Sequence, residues 1–351
     1  MEKNIATIKI ILGVFLAVLV IYLLNILSTI FIPFTLAVFI ALIMQPAIRW
    51  FKDRKVPYGV SISLIFLVTL IFIMGIGQVI YNTGASFYKQ KDKLGLQISS
   101  KMKGIESIIE RIPGLKFDNT NTEQILNQVI SMDWILQSTK NVVATVGDFT
   151  SVLFMVLIFL AATLGGIINY KSHLRYLTQG NDERSSNVIN AFEKVQHSIL
   201  KYLKVKTIVS LTTGIGFWLI CTLFGIDFAP FWGFLAFILN FIPTFGSIVA
   251  SIPPILMGLI QIPGTGSIIF FIVCLALIQI IMGNIIEPKI MGTSLSLNMA
   301  TIIIGLLFWG YLWGVSGMIL SVPLMVLTKV ILSQLSDTQV IVRMMGELPK
   351  N

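Results

Sequence analysis

The sequence predicts an all-α, polytopic membrane protein with about eight transmembrane segments, including a broken re-entrant hairpin, plus amphipathic helices. Three observations carry that prediction. Of 351 residues, 56% are hydrophobic and 12% charged, and the mean hydropathy is +0.89, a composition foreign to soluble globular domains. The apolar residues fall into runs near the ~20 residues that cross hydrocarbon as a helix. The cationic residues cluster between these runs so that one orientation collects their excess on one side.

The first run, Ile8–Ile32, is followed by no small-residue cleavage pattern and reads as a retained span. Next comes Phe34–Ile48, short for a crossing, with Pro33 expected in its first turn, where a missing N–H costs nothing. Tyr58–Tyr81, Phe149–Tyr170 and Thr207–Gly225 follow, then the interrupted stretch Phe231–Ile260, then Ser267–Ile286, Met299–Tyr311 and Val315–Ile331. With the N and C termini cytoplasmic and Phe231–Ile260 entering and leaving by the outer face, the inside holds seventeen cationic and eight acidic residues. The outside holds eight of each, so the whole net charge of +9 lies inside. The basic balance therefore points to anionic lipid at the cytoplasmic face and not to nucleic acid.

Two segments lie outside the spans. Residues 83–147 carry Ile105, Ile108, Ile109 and Ile112 at helical spacing before Pro113-Gly114. Thr120 with Glu123 then opens a second helix as a capping box. This outer pair reads as a cap, an oligomer contact or a linker on lipid. Residues 183–206 place Ile189, Phe192, Gln196, Ile199 and Leu203 on one stripe beside Lys194, Lys201 and Lys204, a basic amphipathic helix running into the span at Thr207.

Residues 229–261 hold no charge, yet Pro243, Gly246, Pro253 and Pro254 interrupt them. Each proline lacks a donor, so Pro243 is expected to leave the Leu239 carbonyl without its helical partner. Irregular backbone at membrane depth survives only where protein or a wet cavity surrounds it, and broken helices are where transporters bind their cargo. Asn240, Thr244, Ser247, Ser251, Gln279 and Asn284 can offer hydrogen bonds to a neutral solute. Glu287, followed by Pro288, is the nearest carboxylate and reads as the cytoplasmic end of its span.

Enzyme chemistry finds little footing. There is no Walker loop, Rossmann glycine run, His-Glu-x-x-His or Gly-x-Ser-x-Gly elbow, and no paired intramembrane acids. His173 and His197 lack metal-ligand spacing, and Cys221 and Cys274 sit far apart in apolar runs as small core residues, so neither metal nor cofactor is expected. An internal echo joins Phe231-Trp232-Gly233 and Ser251-Ile252-Pro253 to Phe308-Trp309-Gly310 and Ser321-Val322-Pro323 at unequal spacing.

Four elements along the chain resemble the autoinducer-2 exporter family of bacterial permeases. They are Pro33 to Ala37 with Ala41 to Gln45-Pro46; Asn240 to Gly246; Glu287-Pro288-Lys289-Ile290-Met291-Gly292; and Gly314, Gly317 and Pro323. The family usually has Asn-Pro where this chain has Gln45-Pro46, which keeps the side-chain amide. The resemblance implies a permease of the bacterial cytoplasmic membrane, working as a homo-oligomer such as a pentamer. Its cargo would be a quorum-sensing furanosyl signal or another small solute; sodium or lithium/proton antiport is the alternative within the family, and a non-transport scaffold a third reading.

On this reading the solute pathway is Asn240, Pro243, Thr244, Gly246, Ser247, Gln279 and Asn284. Glu287, Pro288, Gly292 and Pro323 serve gating or ion coupling. The chain divides into an N-terminal three-helix part (1–82), extracytoplasmic helices (83–147), a fourth span with a loop (148–182), the basic helix (183–206), a transport core (207–335) around the hairpin 229–261, and a cytoplasmic tail (336–351).

Overall fold

The computed structural model describes residues 2–109, 152–165, 182–291, 297–333 and 338–346. Among the described residues every regular element is helical. Five helices are long and apolar enough to cross a membrane by length and composition, and four shorter apolar helices accompany them.

Helices α1 (Glu2–Ile26) and α2 (Ser28–Asp53) part only at Leu27. The helix starts at Ser28, so Pro33, expected in its first turn, lies inside α2 more than a turn past the observed start. Proline this early in a helix frees a single carbonyl, so the chain keeps its helical course and gains the length Phe34–Ile48 lacked. Helix α3 (Tyr58–Ile109) runs 52 residues, about 78 Å at 1.5 Å per residue, well beyond a ~30 Å hydrocarbon core. The first outer amphipathic helix is thus the continuation of a span, and the second, after Thr120, lies outside the described residues. Helix α4 (Val152–Gly165) packs with α2 and α3 through Ala37, Ala41, Ile65, Val156, Leu160 and Leu164.

Helix α5 (Asp182–Leu223) joins the basic amphipathic segment to its span without a break. It is the spine of the remainder. Its middle packs Ile199, Tyr202, Leu203, Val205 and Val209 into one core with Phe39, Leu42, Met291, Trp309 and Leu320. Its second half packs Phe217 and Cys221 into another with Ala229, Trp232, Ala236, Met257, Phe271 and Leu275.

Helices α6 (Ala229–Leu239) and α7 (Phe245–Gln261) form the first hairpin. Its ends meet: the Gln261 amide donates to Asp227 Oδ2 at 2.7 Å and accepts from the Asp227 N–H at 2.9 Å. At 11 residues, α6 is about 16 Å long, half a crossing. Helix α8 (Thr265–Gln279) widens into a π turn at Ile280–Ile286 before α9 (Glu287–Met291).

Helix α10 (Met299–Ser333) is a second hairpin, because Gly314 (φ 60°, ψ −141°) reverses it. A Cβ on Gly305 would stand 2.3 Å from Met325, a contact no straight helix makes across that separation. Asn298 caps its start, accepting the Thr301 N–H at 2.8 Å. The chain end folds back as α11 (Gln339–Met345), whose Met345 is buried and whose carbonyl accepts the Asn298 N–H at 3.0 Å.

Candidate functional site

The first hairpin's tip reaches Ser210, midway along the apolar stretch Gln196–Leu223 of α5. Small residues allow that approach. A Cβ on Gly214 would stand 2.7 Å from the Gly233 carbonyl, and one on Gly233 would stand 2.6 Å from the Gly214 carbonyl, so α5 and α6 cross backbone to backbone.

At the tip, Asn240 is 4% exposed and donates Nδ2 to Ser210 Oγ at 3.0 Å. The Leu239 carbonyl is not orphaned as expected. The Ile242 N–H reaches it at 2.9 Å in a tighter turn, and Gly246 packs over it so closely that a Cβ there would lie 1.7 Å away. The reversal falls on Thr244 (φ 60°, ψ −53°), with the Phe245 N–H on the Pro243 carbonyl at 2.6 Å. This is a γ-turn of the rare positive-φ kind, strained for a β-branched residue.

Serine 247 donates to the Thr244 carbonyl at 3.0 Å, and its own carbonyl accepts Ser251 Oγ at 3.0 Å and Gln279 Nε2 at 3.1 Å. Gln279 Oε1 is buried and accepts nothing. The structure therefore joins Ser247 to Gln279, while Asn240, at the end of α6, is bonded to Ser210 of α5. Asn284 is exposed on the π turn, away from this group, and Pro323 is buried within the second hairpin's later arm. Pro288 is exposed, and Gly292 lies outside the described residues.

Glu287 lies in the last turn and a half of the apolar helix Thr265–Met291, close to the end where the sequence placed it, and it is paired there. Its Oε1 stands 2.6 Å from Lys206 Nζ, with the two side chains 18% and 6% exposed. The mutual neutralisation of the pair lets both charges sit where composition alone would end a span. Glu287 also closes the π turn, its N–H bonded to the Met282 carbonyl, and such turns gather at functional sites.

Sequence reasoning missed the partners on α5. Gln196 and Lys206 each hold a residue just before a proline, and Ser210 holds one a turn before: Gln196 Nε2 on Gln45 Oε1 at 2.8 Å, Lys206 on Glu287, Ser210 on Asn240. Gln45-Pro46 and Glu287-Pro288 are adjacent pairs, and Pro243 follows Asn240 by one turn. The signal was present in Gln196, a polar residue on the otherwise apolar stripe of α5. Residues 196, 199, 203, 206 and 210 continue that stripe at helical spacing.

Residues 10–337 match the family described as AI-2E family transporter. A protein of Haemophilus influenzae named only as a candidate transport protein is 28% identical over 349 residues, 99% of each chain. The AI-2 transport protein TqsA of Escherichia coli strain K12 is 28% identical over 327 residues, 92% of this chain and 91% of its own. YrrI of Bacillus subtilis strain 168, another candidate transport protein by name, is 26% identical over 326 residues.

Proposed function

We propose, for a chain that belongs to the AI-2E family of transporters, that it exports a small organic solute past the tip of its first hairpin. TqsA, named for AI-2 transport, supports a signal molecule as the cargo. The membrane would be the bacterial cytoplasmic one, crossed by a homo-oligomer, a pentamer in the arrangement proposed here, with Lys201 and Lys204 of α5 toward anionic lipid. The observation that carries the reading is a hairpin that stops halfway along the apolar stretch of α5 and presents polar groups there. A substrate needs an interrupted barrier with hydrogen-bonding capacity, and broken helices at membrane depth supply both.

Residue roles follow the geometry. Gln279, with an acceptor to spare, and Ser247 beside it contact the solute together with Thr244. Asn240 and Gly246 position the tip. Glu287 and Lys206 form a gate that opens when their contact lengthens, with Pro288 shaping the chain beside it. A flux screen on purified protein in liposomes, under imposed sodium and proton gradients, tests this. Solute flux that Gln279→Leu abolishes is expected; no gradient-driven flux of any solute from correctly inserted protein rejects it.

Sodium or lithium/proton antiport is a second reading, favoured by one observation, the buried Glu287–Lys206 pair inside two candidate spans. A cation that displaces the lysine ammonium from the carboxylate would couple ion to proton. Glu287→Gln should then remove pH-linked sodium movement in everted vesicles, and wild-type vesicles without such movement dispose of the idea.

A further inference from the structure

Helix α2 ends in Arg49-Trp50-Phe51-Lys52-Asp53, and Arg54-Lys55-Val56-Pro57 lead on into α3. Arg49, Lys52, Arg54 and Lys55 are all exposed, with Asp53 the one acid among them. Among the described residues none of the four cations is ion-paired, not even Arg49 with Asp53 a turn on. The corner is held from both sides. Phe51 packs inward with Ala37, Ile65 and Leu160, and the Tyr58 hydroxyl donates to the Leu164 carbonyl of α4.

Cations gather at helix C-termini and in inward-facing loops for general reasons, but those reasons are indifferent to how each charge is held. Two details here go further. The Arg54 guanidinium lies over the half-exposed Trp50 ring, 3.7 Å from its centroid. A guanidinium so placed keeps the N–H donors at its edge for phosphate oxygens, and among the described residues the Arg54 side chain donates to nothing. The second detail is Lys55, whose φ of 60° puts it in the left-handed position of a helix-ending turn. Its N–H bonds the Lys52 carbonyl at 2.9 Å, and the Val56 N–H bonds the Phe51 carbonyl at 3.1 Å. Glycine is the ordinary residue there, so the lysine is kept at a cost in stability.

We propose that this corner seats the phosphate of an anionic glycerophospholipid, with the edge of the Arg54 guanidinium on its oxygens and Arg49, Lys52 and Lys55 supplying countercharge. Four cations against one carboxylate favour an anionic headgroup over a zwitterionic one. Trp50 suits headgroup depth, where one part of the ring is dry and the other wet. Val60, Leu64, Leu67 and Ile71, all exposed, form an apolar stripe of α3 that begins just past the corner, a surface for an acyl chain. The site narrows the general preference for anionic lipid to one place, and it stands independently of what the chain transports.

The test titrates the full chain, in mild detergent, with dioleoylphosphatidylglycerol or dioleoylphosphatidylcholine and counts bound lipid by native mass spectrometry. The first phosphatidylglycerol is expected to bind about tenfold tighter than phosphatidylcholine, and Arg54→Gln with Lys55→Gly to remove that margin. Lys55→Gly alone should weaken phosphatidylglycerol binding while raising the lipid-free Tm by about 2 °C, because glycine relieves the left-handed position. A lysine serving only the fold would not move the two in opposite directions. Lys201→Gln with Lys204→Gln, the other basic surface, should leave the margin intact. Equal binding of the two lipids overturns the site, as does a margin that survives Arg54→Gln with Lys55→Gly or that the α5 variant abolishes. Displacement of the lipid by inorganic phosphate would give the corner to a free anion and overturn the lipid assignment.

Discussion

The two hairpins share a construction and differ in what they do with it. In each, a glycine in the first turn of the second arm packs on a carbonyl of the first: Gly246 on Leu239, Gly317 on Trp309, where a Cβ would lie 1.7 and 1.9 Å away. In each, a proline follows within two turns, Pro253 or Pro323. Of the sequence echo, only the prolines hold comparable places in the later arms; Gly246 and Gly317 lay outside it, and Phe231-Trp232-Gly233 and Phe308-Trp309-Gly310 sit at different distances from the turns.

The second hairpin turns on glycine and is nailed down. Trp313 Nε1 donates to the Leu24 carbonyl at 2.9 Å beside its turn, and its later arm buries Leu320, Ser321, Val322, Pro323 and Leu324. The first hairpin turns on strained Thr244, and its later arm leaves Phe245, Ile248, Val249 and Ile252 about half exposed. Arms of similar chemistry thus divide into one packed inside the chain and one that turns a whole face outward, and Pro323 belongs to the packed one.

The largest expected effect falls between them. Glu287→Gln strands the Lys206 ammonium in a buried site and should cost about 3–5 kcal/mol, with Lys206→Met on top restoring most of it; thermal unfolding in detergent measures both. If the single variant is as stable as wild type, the pair is wetter than its geometry implies. Next, Gly246→Ala and Gly317→Ala should each cost about 3 kcal/mol, since backbone must shift in both hairpins. An unequal cost in denaturant titration would break the parallel.

Gly314→Ala, with open space around it but a backbone that only glycine adopts readily, should cost about 1–3 kcal/mol. Asn240→Ala should cost about 1 kcal/mol for its single hydrogen bond yet suppress flux, separating positioning from folding. Smallest of all, Thr244→Gly relieves strain against a gain in unfolded-chain freedom, for a net change within about 1 kcal/mol. Faster hydrogen exchange in residues 245–252 of that variant would sharpen the contrast; unaltered exchange would blur it.

Composition and periodicity were enough for the all-helical membrane class, the continuity of α5 and the broken segment, while five helices among the described residues are long enough to cross where about eight spans were expected; apolar length and missing N–H groups are properties of local sequence. The family was legible too, in Asn240 to Gly246 and Glu287 to Gly292 taken together. Partners were not. That Gln45, Glu287 and Asn240 all bond to one stripe of α5 depends on helices far apart in the chain, as does the burial of Lys206 against Glu287. Local sequence fixes where a helix must break, since a proline withholds its own donor; only packing determines what the freed groups meet, since hydrogen bonds and ion pairs in hydrocarbon are made with whatever side chain the fold brings across.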